Sequence, residues 1–129
     1  MTSVRIEFDE SGMLSAMRKA NAKALRRAGA YVRKTAVNAV SRSSKASQPG
    51  TPPNTRKGLL KRSILFGVDK ERQAVVIGPA KSLIGISMIA HEFGGMYRRR
   101  KYPKRPLMGP SLLKAAPQLP RLWENALKP

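Results

Sequence analysis

Val4, Ile6 and Phe8 alternate with Ser3, Arg5 and Glu7, the two-residue period of a half-buried strand, before Asp9, Glu10, Ser11 and Gly12 break it. From Met13 the period changes. Met13 or Leu14, Met17, Ala20, Ala24 or Leu25, Ala28, Tyr31 or Val32, Thr35 and Ala39 recur every three or four residues, which predicts one amphipathic helix from Met13 to near Val40. Residues 41–58 (SRSSKASQPGTPPNTRKG) lack apolar periodicity and predict a long exposed loop, mobile in the isolated protein and ordered against a partner. Two apolar runs follow, 63–68 (SILFGV) and 73–77 (QAVVI). The four polar residues between them mark a hairpin, with Leu59 and Leu60 opening its first strand or a short turn before it, and Gly78 and Pro79 closing the second.

Residues 82–93 are apolar, and their later half reads as a short helix stopped by Gly94 and Gly95. A basic loop over 96–105 leads to a short strand at 106–108, which Pro106, lacking a ladder donor, fits as a strand start or edge. Pro110 suits a helix first turn, residues 111–116 are helical until Pro117 interrupts, and Leu119, Leu122, Trp123 and Leu127 fall at helical spacing. There is no internal repeat.

At 129 residues the chain predicts a single domain, residues 1–129. With three Phe, three Tyr and one Trp, its core rests mainly on Leu, Ile, Val, Ala and six Met, so oligomerisation is a reasonable source of further buried surface. Charge changes the picture most. Lys and Arg outnumber Asp and Glu by 26 to 7, a formal charge of +19, which repels itself in a lone compact domain and predicts an anionic partner or an assembly. Seven of the basic residues (Arg18, Lys19, Lys23, Arg26, Arg27, Arg33, Lys34) lie along the long helix without an acidic partner, either as a solvated face or turned to a subunit or polyanion. The absence of cysteine excludes disulfides, thiolate metal sites and a cysteine nucleophile. Neither a secretory signal nor an apolar run near the ~18 residues of a membrane span is visible, so a soluble protein made in the cytoplasm is expected, with no membrane partner.

Candidate chemistry is sparse. His91 is the only histidine, and the position where a zinc peptidase helix would place its second histidine holds Gly95. With one His and seven scattered carboxylates there is no catalytic triad, metal set or cofactor motif, and His91 and Glu92 read as structural, closing a helix end or touching a subunit. Gly94 and Gly95 lack the spacing of a nucleotide loop and read as a sharp turn. Arg98, Arg99, Arg100, Lys101, Lys104 and Arg105 are six basic residues in eight, with Tyr97 and Tyr102 beside them. Such a segment neutralises phosphates and stacks on bases without sequence readout, or docks on an acidic protein patch. Tyr97, Arg99 and Tyr102 also admit a weaker casting as a toxin-type endoribonuclease that positions a ribose and stabilises a phosphorane.

The order of these signals resembles a known family. The segment ALRRAGAYVRKTAVNAV, then QPGTPPNTRKGLLKRSI, a hairpin ending VVIGP, HEFGG, and finally YPKRPLMGPSL together resemble the head-tail joining or tail-completion (neck) proteins of long-tailed bacteriophages, including the phage Mu type of virion morphogenesis protein. The likeness runs from about residue 13 to 127, and the HEFGG to RPLMGP succession after VVIGP is its most telling part. The resemblance implies an α+β fold, a small mostly antiparallel sheet packed by one long N-terminal helix, with shorter C-terminal helices and long basic loops. It implies a non-enzymatic virion subunit without cofactors, forming a homo-oligomeric ring, usually a hexamer, between the portal-side head-closure protein and the tail-terminator or tail-tube protein. Double-stranded DNA would pass through the ring. His91, Glu92, Phe93, Gly94, Gly95, Pro106 and Pro110 then become the fold or interface motif, and the basic residues 98–105 the surface facing DNA or a partner. In one respect the chain departs from the family, whose connection before the RPF-like strand is shorter and less charged. The alternative reading is a basic, non-specific nucleic-acid-binding module, with the endoribonuclease behind it.

Overall fold

The computed structural model describes residues 10–85 and 87–126. The strand expected over residues 4–8 and the last helical position, Leu127, lie outside the described residues. The long helix is present as α1 (Glu10–Ala39). Its buried positions are Ala24, Leu25, Ala28, Gly29, Val32 and Ala36, and Val40 just past its end is buried as well. Steps of four dominate, so the buried stripe passes through Ala36 and Val40 rather than the expected Thr35 and Ala39. Leu14 and Met17, which the periodicity also put in the core, are exposed along with the rest of residues 14–19, and burial begins only at Ala20.

Against α1 lies the expected hairpin, β1 (Ile64–Asp69) paired antiparallel with β2 (Ala74–Pro79), in register from Ile64 opposite Pro79 to Asp69 opposite Ala74. The Asp69 carboxylate closes the turn by accepting the backbone N–H of Glu71 and of Arg72, both at 3.1 Å. Helix and hairpin pack closely at Gly29, where a Cβ would stand 2.6 Å from the Phe66 ring and 2.8 Å from a Val75 methyl. Arg33, assigned by its charge to the outer face, instead donates through Nε to the Ile64 carbonyl at 2.6 Å. The other six basic residues of α1 are exposed.

Leu59 and Leu60 belong to a helical turn, α2 (Leu59–Ser63), rather than to the first strand, because Thr55 Oγ1 accepts the Leu60 N–H at 3.3 Å and starts the turn. Leu60, Ile64, Ala36, Val40 and Leu107 form the central core, with Ile77, Ile84 and Met88 packed at its margin. Residues 41–58 hold an isolated parallel bridge between Arg42 and Thr55, and Gly50 N–H donates to the Lys104 carbonyl at 2.7 Å.

The apolar stretch after β2 divides into α3 (Lys81–Ile84) and α4 (Ser87–Phe93), and Gly94, at φ 74°, ends the latter. Within the basic segment expected as a loop, β3 (Gly95–Tyr97) and β4 (Arg100–Tyr102) pair antiparallel as a second hairpin. The expected strand at 106–108 is absent. Leu107 is instead the N-cap of α5 (Met108–Ala115), which runs through a 3-10 turn (Ala116–Gln118) into α6 (Pro120–Ala126). A long helix, two-stranded antiparallel sheets and short C-terminal helices make the fold α+β.

Candidate functional site

Glu92, near the end of α4, reaches across to the start of α5. Its Oε2 accepts the Leu107 N–H at 2.7 Å, and its Oε1 accepts those of Met108 at 2.5 Å and Gly109 at 3.1 Å. A helix begins with four N–H groups that have no intrahelical partner. Here one carboxylate takes three, and the fourth position is Pro110, which has no N–H. The account closes, and negative charge at this end also suits the helix dipole. The same clamp explains the missing strand, since Glu92 draws residues 107–109 into a helix start while the Leu107 side chain, 2% exposed, enters the core.

Around the clamp, the Arg105 N–H donates to the His91 carbonyl at 2.6 Å, and Arg105 Nε donates to the Ser47 carbonyl at 2.8 Å. Arg105 therefore serves as an internal tie between the 41–58 segment and α4. The His91 ring meets Tyr102 edge-on at 5.1 Å, and Tyr102 lies 6.1 Å from Tyr97. His91 Nδ1 is buried without a hydrogen-bond partner. Burial, and secondly the Arg105 guanidinium, hold this imidazole below its ordinary value of 6.5, so it is neutral at pH 7.

The remaining basic residues project elsewhere. Tyr97 and Arg100 are paired, and the two residues between them, Arg98 at φ 49° and Arg99 at φ 63°, both adopt the left-handed conformation. That is the backbone of a two-residue hairpin turn for which Asn-Gly is the favoured sequence. Arginine at both positions costs about 1–2 kcal/mol each. Arg98 lies over the Tyr97 ring at 5.4 Å, and Arg98, Arg99, Arg100, Lys101 and Lys104 are exposed. The hairpin thus presents a strained, densely cationic tip, suited to backbone phosphates or carboxylates.

Sequence reasoning missed a third feature. Between β2, α4 and α5 runs an apolar groove of about 780 Å³, floored by Val32 and walled by Ile77, Ile89, Phe93 and Leu113, with Lys81, Lys104 and Arg105 also lining it. Its signal was legible in hindsight: Ile89 and Phe93 stand one turn apart, and Leu112 and Leu113 are adjacent, so one helix face cannot bury both. The structure brings His91, Glu92, Phe93, Arg105, Pro106 and Pro110 to one junction and leaves the hairpin cations outside it. Among the described residues, no group of three His, Cys, Asp or Glu is placed to hold a metal ion, and no helix is long and apolar enough to cross a membrane. No protein-family model, curated protein or solved structure matches this chain.

Proposed function

We propose that this chain is a structural subunit of a phage neck, acting in tail completion or head-tail connection by forming a homo-oligomeric ring around the DNA channel. The observation that carries the reading is the division of the His91 to Leu112 segment. Its outer parts, HEFGG and RPLMGP, the core of the resemblance, are consumed by the Glu92 clamp, whereas the inserted cations stand free at a hairpin tip. A fold-defining frame that displays charge, beside an uncovered apolar groove, suits a subunit that acts by assembling and by meeting a polyanion. The partners are then further copies, the portal-side and tail-side neighbours in the virion, and passing duplex DNA. Synthesis takes place in the host cytoplasm and function in the particle.

Electron microscopy of the purified protein, alone and mixed with the portal and tail proteins encoded beside it, tests this. Rings or stacked complexes are expected, and a monomer that ignores both neighbours refutes it. The strained cationic tip favours one second reading, a non-specific nucleic-acid-binding module. That reading predicts affinity for short duplexes falling with salt at a slope of about 0.9 per phosphate contact, shallower when residues 98–100 become alanine.

A further inference from the structure

Ile89 is 63% exposed, Phe93 75%, Leu112 50% and Leu113 76%, and all four line the groove between β2, α4 and α5. Together they form one contiguous apolar surface rather than scattered single residues, the mark of a surface that another molecule covers. Its shape narrows the occupant. A small-molecule pocket encloses most of its ligand, whereas these walls stand largely in solvent. An added strand is poorly served, because β2 contributes only Ile77, Gly78 and Pro79, and Pro79 has no N–H to give to a ladder. Ile89 and Phe93 lie one turn apart on α4, and Leu112 and Leu113 belong to α5 on the other wall, so two helical ridges leave a trough of about 780 Å³. A third helix fits such a trough, anchored by apolar residues at three- and four-residue spacing.

Charge decides whose helix it is. Lys81 and Lys104, both exposed, line the groove and flank α4: the Gly85 N–H before it donates to the Lys81 carbonyl at 2.8 Å, and the Lys104 backbone passes Gly94 after it. The third cation, Arg105, is turned to Ser47, and the one carboxylate, Glu92, is taken up by the three N–H groups at the start of α5. The rim therefore offers two exposed positive charges separated by the length of α4, about 10 Å at the helical rise. Carboxylates about two turns apart on a helix match them. No described helix of this chain meets that requirement: α1 and α6 carry one acidic residue each, α4 only the engaged Glu92, and the others none. A second copy would also bring a further charge of +19 to the contact.

We propose that the groove docks an acidic amphipathic helix of a different protein, its apolar stripe laid between α4 and α5 and its carboxylates at Lys81 and Lys104. The apolar contacts supply most of the affinity, and the rim cations set orientation and select against basic partners. This contact does not depend on the neck reading, and the isolated full chain suffices to test it.

The test is fluorescence anisotropy at physiological salt with a fluorescein-labelled peptide of about 16 residues that places leucine at the core-facing positions of a helix and glutamate beside them. The protein should bind it at least ten-fold more tightly than a peptide of the same composition in which leucine and glutamate alternate, the pattern of a strand. Ile89→Gln with Leu113→Gln alters only exposed side chains, so circular dichroism should stay at wild type while affinity falls about ten-fold. Lys81→Ala with Lys104→Ala should weaken binding about three-fold or more, and Lys19→Ala with Lys23→Ala, an equal loss of charge at exposed positions of α1, should leave it within about two-fold. Hydrogen exchange should show new protection over residues 87–93 and 108–113. Binding of the alternating peptide as tightly or more tightly, equal effects of the two lysine pairs, or protection at the second hairpin instead overturns the proposal. A protein that self-associates, and becomes monomeric only in the Ile89→Gln, Leu113→Gln variant, overturns it too, since a second copy is then the occupant.

Discussion

Glu92→Gln is the substitution with the most to say about this fold. The carboxylate accepts three backbone N–H groups at 2.5–3.1 Å from a helix start that offers no fourth donor. Charged hydrogen bonds contribute about 1.5–3 kcal/mol each when buried, but this end is only half-buried, and Gly109 is exposed, so water recovers part of any loss. Capping substitutions, which already include that recovery, cost ~0.5–2 kcal/mol, and the lost charge at the helix dipole adds ~0.3–1 kcal/mol. Gln retains one carbonyl acceptor but turns an NH₂ toward N–H donors. We expect Glu92→Gln to cost about 1–2 kcal/mol and Glu92→Ala about 2–4 kcal/mol. For a domain of this length the first is a fall in Tm of roughly 5 °C. Thermal and urea unfolding followed by circular dichroism measure it. Glu124→Gln, at an exposed position of α6, is the control, because it raises the net charge equally and should leave Tm almost unchanged. If the two variants melt together, the clamp contributes nothing and the explanation of the RPLMGP motif is refuted.

Three further outcomes follow from the geometry. His91 is held neutral below its ordinary value of 6.5, so the unfolded chain binds the extra proton, and stability is full above that value and declines as pH falls through it. His91→Phe keeps a ring against Tyr102 and should melt with a flatter profile between pH 7.5 and 5.5; parallel profiles would refute this. Replacing Arg98 and Arg99 by Asn and Gly relieves two left-handed arginines, so Tm should rise by an amount corresponding to about 1–3 kcal/mol, while duplex retention on a DNA column weakens. Gly29→Ala gains about 1 kcal/mol of helix propensity but drives a methyl to 2.6 Å from the Phe66 ring. Overpacking should prevail, with a net loss of roughly 1–2 kcal/mol in urea unfolding.

Features set by local pattern were legible in the sequence. The three-to-four spacing gave α1, and two apolar runs around DKER gave the first hairpin. What escaped was set by distant partners. Nothing within residues 106–110 announces that Glu92, fifteen positions before Leu107, will hold them as a helix start, so Pro106 and Leu107 read as a strand. The second hairpin turns on Arg98 and Arg99, and no glycine or asparagine marks a turn there. The buried stripe shifted from Thr35 to Ala36 because packing against Leu60, Ile64 and Leu107 selects among positions that periodicity alone treats alike. For the candidate site, the sequence located both the motif and the cations. It did not separate Arg105, which bonds inward to Ser47, from the arginines at the tip.

The bond from Arg105 N–H to the His91 carbonyl, together with the close passage of Lys104 by Gly94, pinches the chain shut at the base of the second hairpin. The tip between Tyr97 and Lys101 is therefore an excursion from a closed neck of backbone, and, unlike Tyr102, which meets the His91 ring of α4, its length and sequence make no demand on the helices below. The junction acts as a socket: hairpins of other lengths, charges or affinities are graftable there without re-engineering the frame, so the recognition tip is free to diversify while the subunit beneath it stays the same.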